Sequence, residues 1–199
     1  MSSASSRPRG YPIIGYTTRR HLILDLDNAN RYGARAITKK IMWEWPKVGD
    51  CIILSSSTKP DRIRLVHNKW GRPLLYHDRE NFHLVFDNGI GYNLSCRICH
   101  TLAGLGILNP DYVKIREFRG DMTLRISPAY LYDEIKPIPQ IVEWVFNDYT
   151  NRRDGYIRHY LKVKKGVEAL FAPLLETENV ANYRTHRPDR GSQNGSVDP

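Results

Sequence analysis

Apolar residues recur along this chain at two spacings, and each spacing predicts its own kind of element. His21-Leu22-Ile23-Leu24 is a short apolar run that Leu26 continues between two aspartates, the pattern of a largely buried strand. From Asn28 to Trp45, Ala34, Ile37, Ile41 and Trp45 fall at helical spacing; Asn28 or Asn30 supplies a cap and Pro46 ends the helix. Strands are expected at Cys51–Ser57 and Asn81–Asp87, the second stopped by Asn88-Gly89, with hairpin arms Arg62–Asn68 and Arg72–Asp78 between them around Lys69-Trp70-Gly71. Leu94, Ile98, Leu102 and Leu105 make one stripe of a second helix that closes on glycines. Tyr112–Phe118 and Met122–Ser127 read as a hairpin turning at Arg119-Gly120-Asp121. Ile141–Phe146, Tyr156–Val163 and Val167–Leu175 each carry helical spacing.

This order predicts an α+β fold: a mostly antiparallel mixed sheet with helices packed on it, followed by a helical C-terminal segment. Residues 1–10 read as a flexible basic arm, 11–136 as the core, 137–181 as helices packing back on it, and 182–199 as a disordered tail. The length of 199 residues suits one large domain or two small ones and needs neither disulfides nor a structural metal. Three cysteines make no disulfide framework. No apolar run approaches the ~20 residues of a membrane span and the first ten residues hold no signal-peptide core, so a soluble, cytoplasmic protein is expected. Lys and Arg number 30 against 21 Asp and Glu, a net charge of +9 that favours an anionic partner, nucleic acid first among them.

The candidate chemistry begins with Asp25 and Asp27. Two apart on a strand, they share a face, where like charges repel unless a cation lies between them. Hard divalent ions such as Mg²⁺ or Mn²⁺ take oxygen ligands of this kind. The plainer alternative has Asp27 capping the next helix and Asp25 facing solvent. His83 and Asn81 share one face of a later strand. A lone strand histidine is more often a packing residue, so its meaning depends on its neighbours. Asp111 follows Asn109-Pro110 and opens a basic segment. Lys114, Arg116, Arg119 and Arg125 lie beyond it, with Lys114 and Arg116 on one face of the expected strand, suited to phosphates.

Taken in order, these segments resemble the archaeo-eukaryotic primase superfamily, in particular its primase-polymerase members. That family's pattern is an apolar strand ending in Asp-x-Asp, then Ser-x-His on a later strand, then a third acid before a basic hairpin. Leu22-Ile23-Leu24-Asp25-Leu26-Asp27, Asn81-Phe82-His83-Leu84-Val85-Phe86 and Asp111-Tyr112-Val113 stand at the matching places, over roughly residues 20–127. Asn81 occupies the position of the motif serine, and Asp121 competes with Asp111 as the third acid.

The resemblance implies a template-directed DNA primase or polymerase working with two divalent ions, Mg²⁺ or Mn²⁺, on Asp25, Asp27 and Asp111. It implies that His83, with Asn81 and Arg125, holds an NTP or dNTP. Lys114, Arg116 and Arg119, with Trp70 at its hairpin tip as a stacking residue, are the candidate contacts to the template and primer. A helicase or other replication subunit is a candidate partner, and no membrane association is expected. A metal-dependent nuclease and a non-catalytic nucleic-acid-binding module are the alternatives. Cys96-Arg97-Ile98-Cys99-His100 matches the haem-attachment string, but it falls mid-helix with no export signal, so no haem is expected. Zinc is not expected either, because Cys51 is the only other cysteine.

Overall fold

The structure, a computed structural model, describes residues 13–56, 63–67, 73–77, 80–131 and 134–185. Its centre is a four-stranded antiparallel sheet of β2 (His21–Ala29), β3 (Cys51–Ser55), β6 (Glu80–Gly89) and β10 (Gln140–Val145), in the order β10-β3-β6-β2. Three two-stranded pairs complete the strands: β1 (Gly15–Thr18) with β7 (Met122–Arg125), β4 (Ile63–His67) with β5 (Pro73–His77), and β8 (Ala129–Leu131) with β9 (Glu134–Lys136). The helices are α1 (Arg31–Glu44), α2 (Tyr92–Gly104), α3 (Pro110–Arg119) and α4 (Tyr156–Thr185). The fold class is the α+β expected from the pattern.

β2, β3 and β6 are covered on both faces, which is why they read as nearly continuous apolar runs. Leu22, Ile23, Leu24 and Leu26 are all buried, as are Ile52, Ile53 and Leu54. Cross-strand register sorts them. Leu24, Leu84 and Ile53 share one face with Leu26 and Phe82; Ile23, Val85 and Ile52 share the other with Asp25, His83 and Leu54. α1 covers the first face, with Thr38 in hydrogen-bonding contact with Cys51. Its buried positions Ala34, Thr38, Ile41 and Met42 form that stripe, and the Asn30 side chain accepts the Gly33 N–H at 2.7 Å to cap it. Each such large apolar side chain stabilises the fold by about 1.5–3 kcal/mol.

Two elements differ from the sequence expectation. Residues 110–119 form a helix, α3, and not the first arm of a hairpin. The Asn109 side chain accepts the Asp111 N–H at 2.9 Å, Pro110 sits in the first turn, and Gly120 ends the helix at φ 70° in the left-handed region. Met122–Arg125 is a strand as expected, but it pairs with β1. Residues 140–145 form the edge strand β10, against the helix expected at Ile141–Phe146. The preceding Pro137 and Pro139 break helix, and β10 lies against β3 with a register shift between Ile141 and Glu143. The two helices expected after it are one, α4, which carries Pro173 within it and runs to Thr185, beyond the expected boundary at 181. The rest of the expected tail, the arm at 1–10, and the Lys69-Trp70-Gly71 tip lie outside the described residues.

Candidate functional site

Asp25 and His83 are directly opposite in the β2–β6 ladder. The Asp25 N–H points away from β6 and donates to the Tyr112 hydroxyl of α3 at 3.0 Å. The pair is therefore the non-hydrogen-bonded kind, in which side chains stand closest. His83 Nε2 lies 3.5 Å from Asp25 Oδ1. After Leu26 the register slips, so Asp27 and Asn28 together oppose Asn81, and a bulge falls on the second aspartate. Bulges re-aim side chains, and here Asp27 comes out exposed while Asp25 is half-buried. Asp27 and Asn30, which caps α1, line one cleft of about 340 Å³.

Burial pushes the Asp25 carboxyl above its ordinary range although Arg116, Arg125 and Lys136 all pull it down. Asp27 is raised by burial and then by the charge of Asp25, against Lys136. The two carboxylates thus repel one another, as their spacing predicts. His83 is driven down to about 3, by burial first and then by Arg125, Arg116 and Lys136. Proximity suggests an ion pair between His83 and Asp25, but a fully buried imidazole facing three cations stays neutral. Its Nδ1 is buried without a hydrogen-bond partner among the described residues.

Arg125 is a fixed cation. Its guanidinium donates to the carbonyls of Ser127, Pro137 (2.8 Å) and Ser56 (3.3 Å), tying β7 to the end of β3. Ser56 in turn donates to the Asn81 carbonyl through its N–H, at 2.9 Å, and its hydroxyl, at 3.1 Å. Lys136, at the end of β9, acts on Asp25, Asp27 and His83 alike. Nothing local in the sequence marks this lysine: only the fold brings it, 109 positions beyond Asp27, close enough to act on all three.

Other expected site residues are placed elsewhere. Arg116 is 3% exposed, lies 3.9 Å over the Tyr112 ring, and bonds Met122 Sδ, so it is not a surface contact for nucleic acid. Burial lowers its pKa to about 10. Being two apart on a helix, Lys114 and Arg116 do not share a face: Lys114 is exposed and Arg119 is exposed. Asp111 is 75% exposed and pairs with Lys114 at 3.1 Å on the first turn of α3. Asp121 accepts the Thr123 hydroxyl at 2.9 Å. The structure therefore gathers Asp25, Asp27 and His83 but not Asp111. Among the described residues no group of three or more His, Cys, Asp or Glu is arranged around a common point for a metal. Cys96 is partly buried, Cys99 is buried, and His100 bonds Glu117 at 2.6 Å. Trp70 lies outside the described residues.

The donor set that is assembled, half-buried Asp25 beside exposed Asp27, whose charging Asp25 opposes, fits a hard divalent cation, which would relieve that cost. Beside it stand three positive side chains, a combination suited to a polyanion. No helix among the described residues is long and apolar enough to cross a membrane. No family model, curated protein or solved structure matches this chain.

Proposed function

We propose that this chain is a template-directed nucleotidyl transferase, a DNA primase or polymerase that adds an NTP or dNTP to a 3′-hydroxyl. The observation that carries the proposal is the meeting of Asp25 with neutral His83 across the β2–β6 ladder, under the charges of Arg116, Arg125 and Lys136, with Asp27 near enough to feel the charge of Asp25. Asp25 and Asp27 would hold Mg²⁺ or Mn²⁺. The ion supplies charge neutralisation at the reacting phosphate and lowers the pKa of the attacking hydroxyl.

The chain's own residues do the rest. In the transfer the 3′-hydroxyl gives up its proton to water, its oxygen bonds to the α-phosphorus, the bond from that phosphorus to the oxygen bridging to the β-phosphate breaks, and pyrophosphate leaves. Negative charge grows on the leaving group, and Lys136 and Arg125 oppose it. Arg125 acts from a fixed position, since its donors are committed to backbone carbonyls. Fixed charge of this kind costs no reorganisation as the reaction proceeds. Neutral His83 stands against Asp25 and adds no charge of its own to the site. Asp111 has no part in this arrangement, which rests on two carboxylates where the resemblance implies three.

The test is extension of a 5′-labelled primer on a template with Mg²⁺ or Mn²⁺, comparing wild type with Asp25→Asn/Asp27→Asn. Metal-dependent lengthening should fall at least about 100-fold in the variant. Shortening of the strand would replace the proposal with a nuclease. Equal lengthening by both proteins would remove Asp25 and Asp27 from the site, and no extension despite tight DNA binding would reduce the chain to a binding module.

A further inference from the structure

We infer that the outer face of α1 is a binding track for single-stranded DNA. α1 starts directly after β2, the strand that carries Asp25 and Asp27. Asp27 and the first turns of α1, at Asn30 and Gly33, line the same cleft. α1 is 14 residues long, so its outer face extends about 21 Å.

Tyr32, Arg35, Lys39 and Trp43 recur at steps of three, four and four and form one stripe opposite the buried Ala34 and Ile41. Tyr32 is 65% exposed and Trp43 60%. At the far end Trp43 meets Tyr149, itself 55% exposed, with ring centroids 5.2 Å apart and planes at 82°. This edge-to-face contact fixes two rings that both stay more than half exposed. Two exposed aromatics anchored at one end, two cations in the middle and a third aromatic at the other end are the parts a single strand requires. Bases stack on the rings while cations follow the backbone, with no dependence on sequence.

The charge is complementary. Residues 31–47 hold Arg31, Arg35, Lys39, Lys40 and Lys47 against the single acid Glu44. Glu143 from β10 is shared by Arg31, at 3.5 Å, and Arg35, at 3.2 Å, so two guanidiniums meet one carboxylate. The stripe stays positive with that acid counted. A protein-binding patch has the reverse plan, with apolar side chains at its centre and charges at its rim.

The experiment is fluorescence anisotropy of a labelled oligo-dT of about 15 nucleotides with the full chain, over a range of salt. Trp43→Ala should weaken binding about ten-fold, and Trp43→Phe, which keeps a ring, should recover most of it. Lys39→Ala should weaken binding and reduce the salt slope by about 0.7. Circular dichroism checks the fold of each variant, and these exposed positions are not expected to disturb it. Unchanged affinity in both alanine variants, or no binding of the oligonucleotide by wild type, overturns the inference. So does a Trp43-dependent self-association or protein contact that replaces DNA binding. If the stripe binds DNA but wild type extends no primer, the proposed reaction fails and the track stands. If primers are extended while Trp43→Ala binds as wild type does, the track fails and the reaction stands.

Discussion

Asp25 and His83 sit 3.5 Å apart, and their protonation is decided less by each other than by what surrounds them. Burial and three nearby cations lower His83 from an ordinary 6.5 to about 3. The unfolded chain therefore takes up a proton between these values that the folded chain refuses. Stability from this group is fully present above about pH 6.5 and is lost as pH falls from there towards 3. The raised Asp25 acts with the opposite sign, because its folded carboxyl takes a proton before the unfolded one does, and it enters nearer the carboxylate range. In urea titrations at pH 7 and pH 5, His83 should contribute a loss approaching about 1.4 kcal/mol per pH unit. His83→Gln should flatten that dependence, leaving the smaller contribution of half-buried His21, which is also lowered by burial. An unchanged pH slope in the variant would mean that His83 is not held neutral. The strands that carry Asp25, Asp27 and His83 were legible in the sequence because alternation and apolar flanks are local signals. Lys136 and the inward turn of Arg116 were not, since each depends on contacts between distant segments.

At the scale of elements, β2, α1, β3, β6 and α2 could be read directly, each having one dominant period and a clear stop. The misread segments are short and satisfy both periods. Tyr112, Val113, Ile115 and Phe118 allow alternation as readily as a helical stripe, and the ends decide between them: Asn109-Pro110 opens a helix and Gly120 closes it. Once it is a helix, Tyr112, Val113 and Arg116 turn inward while Ile115 and Phe118 face out, Phe118 being 94% exposed. Ile141–Phe146 fails in the other direction, its β-branched residues being claimed by the open edge of β3. The cap on α3 carries a checkable cost. Asn109→Ala should destabilise the protein by about 1 kcal/mol, seen as a lower urea midpoint with unchanged slope, and Asn109→Asp should restore it. Equal stability of all three proteins would deny the cap its role. The same helix supplies the Tyr112 hydroxyl to the Asp25 N–H, so its position bears directly on the candidate site.

Across the whole molecule, β6 joins the site to the C-terminal helix. His83 and Asp87 lie on the same face of this strand, four residues apart. Asp87 is 5% exposed and accepts the N–H groups of Gly155 at 3.0 Å and Ile157 at 2.9 Å, which caps the start of α4. Around it, Asn88 bonds the Arg152 carbonyl at 3.1 Å and the Asp154 N–H at 3.1 Å, and the Gly89 N–H reaches Asp154 at 2.9 Å. Asp50 accepts the Asn147 N–H at 2.8 Å and pairs with Arg153. Gly49 makes room for the knot: its φ is 79°, and a Cβ there would stand 2.5 Å from the Asn88 side chain. These buried polar groups fix the segment between β10 and α4 without an apolar core of its own, so removing one partner leaves others unsatisfied. Asp87→Ala orphans two N–H groups and should cost about 2–4 kcal/mol. The loss has a local signature as well. Hydrogen exchange should speed at Gly155, Ile157 and the first turn of α4 while the amides of β3 keep their protection, because the sheet's own ladder is intact. Uniform loss across the sheet and α4 would show that the two unfold as one unit. Unchanged exchange at Gly155 and Ile157 would show that Asp87 does not hold the helix. Since α4 packs against the strand that carries His83, the same variant reveals how far the site depends on a helix that contributes no residue to it.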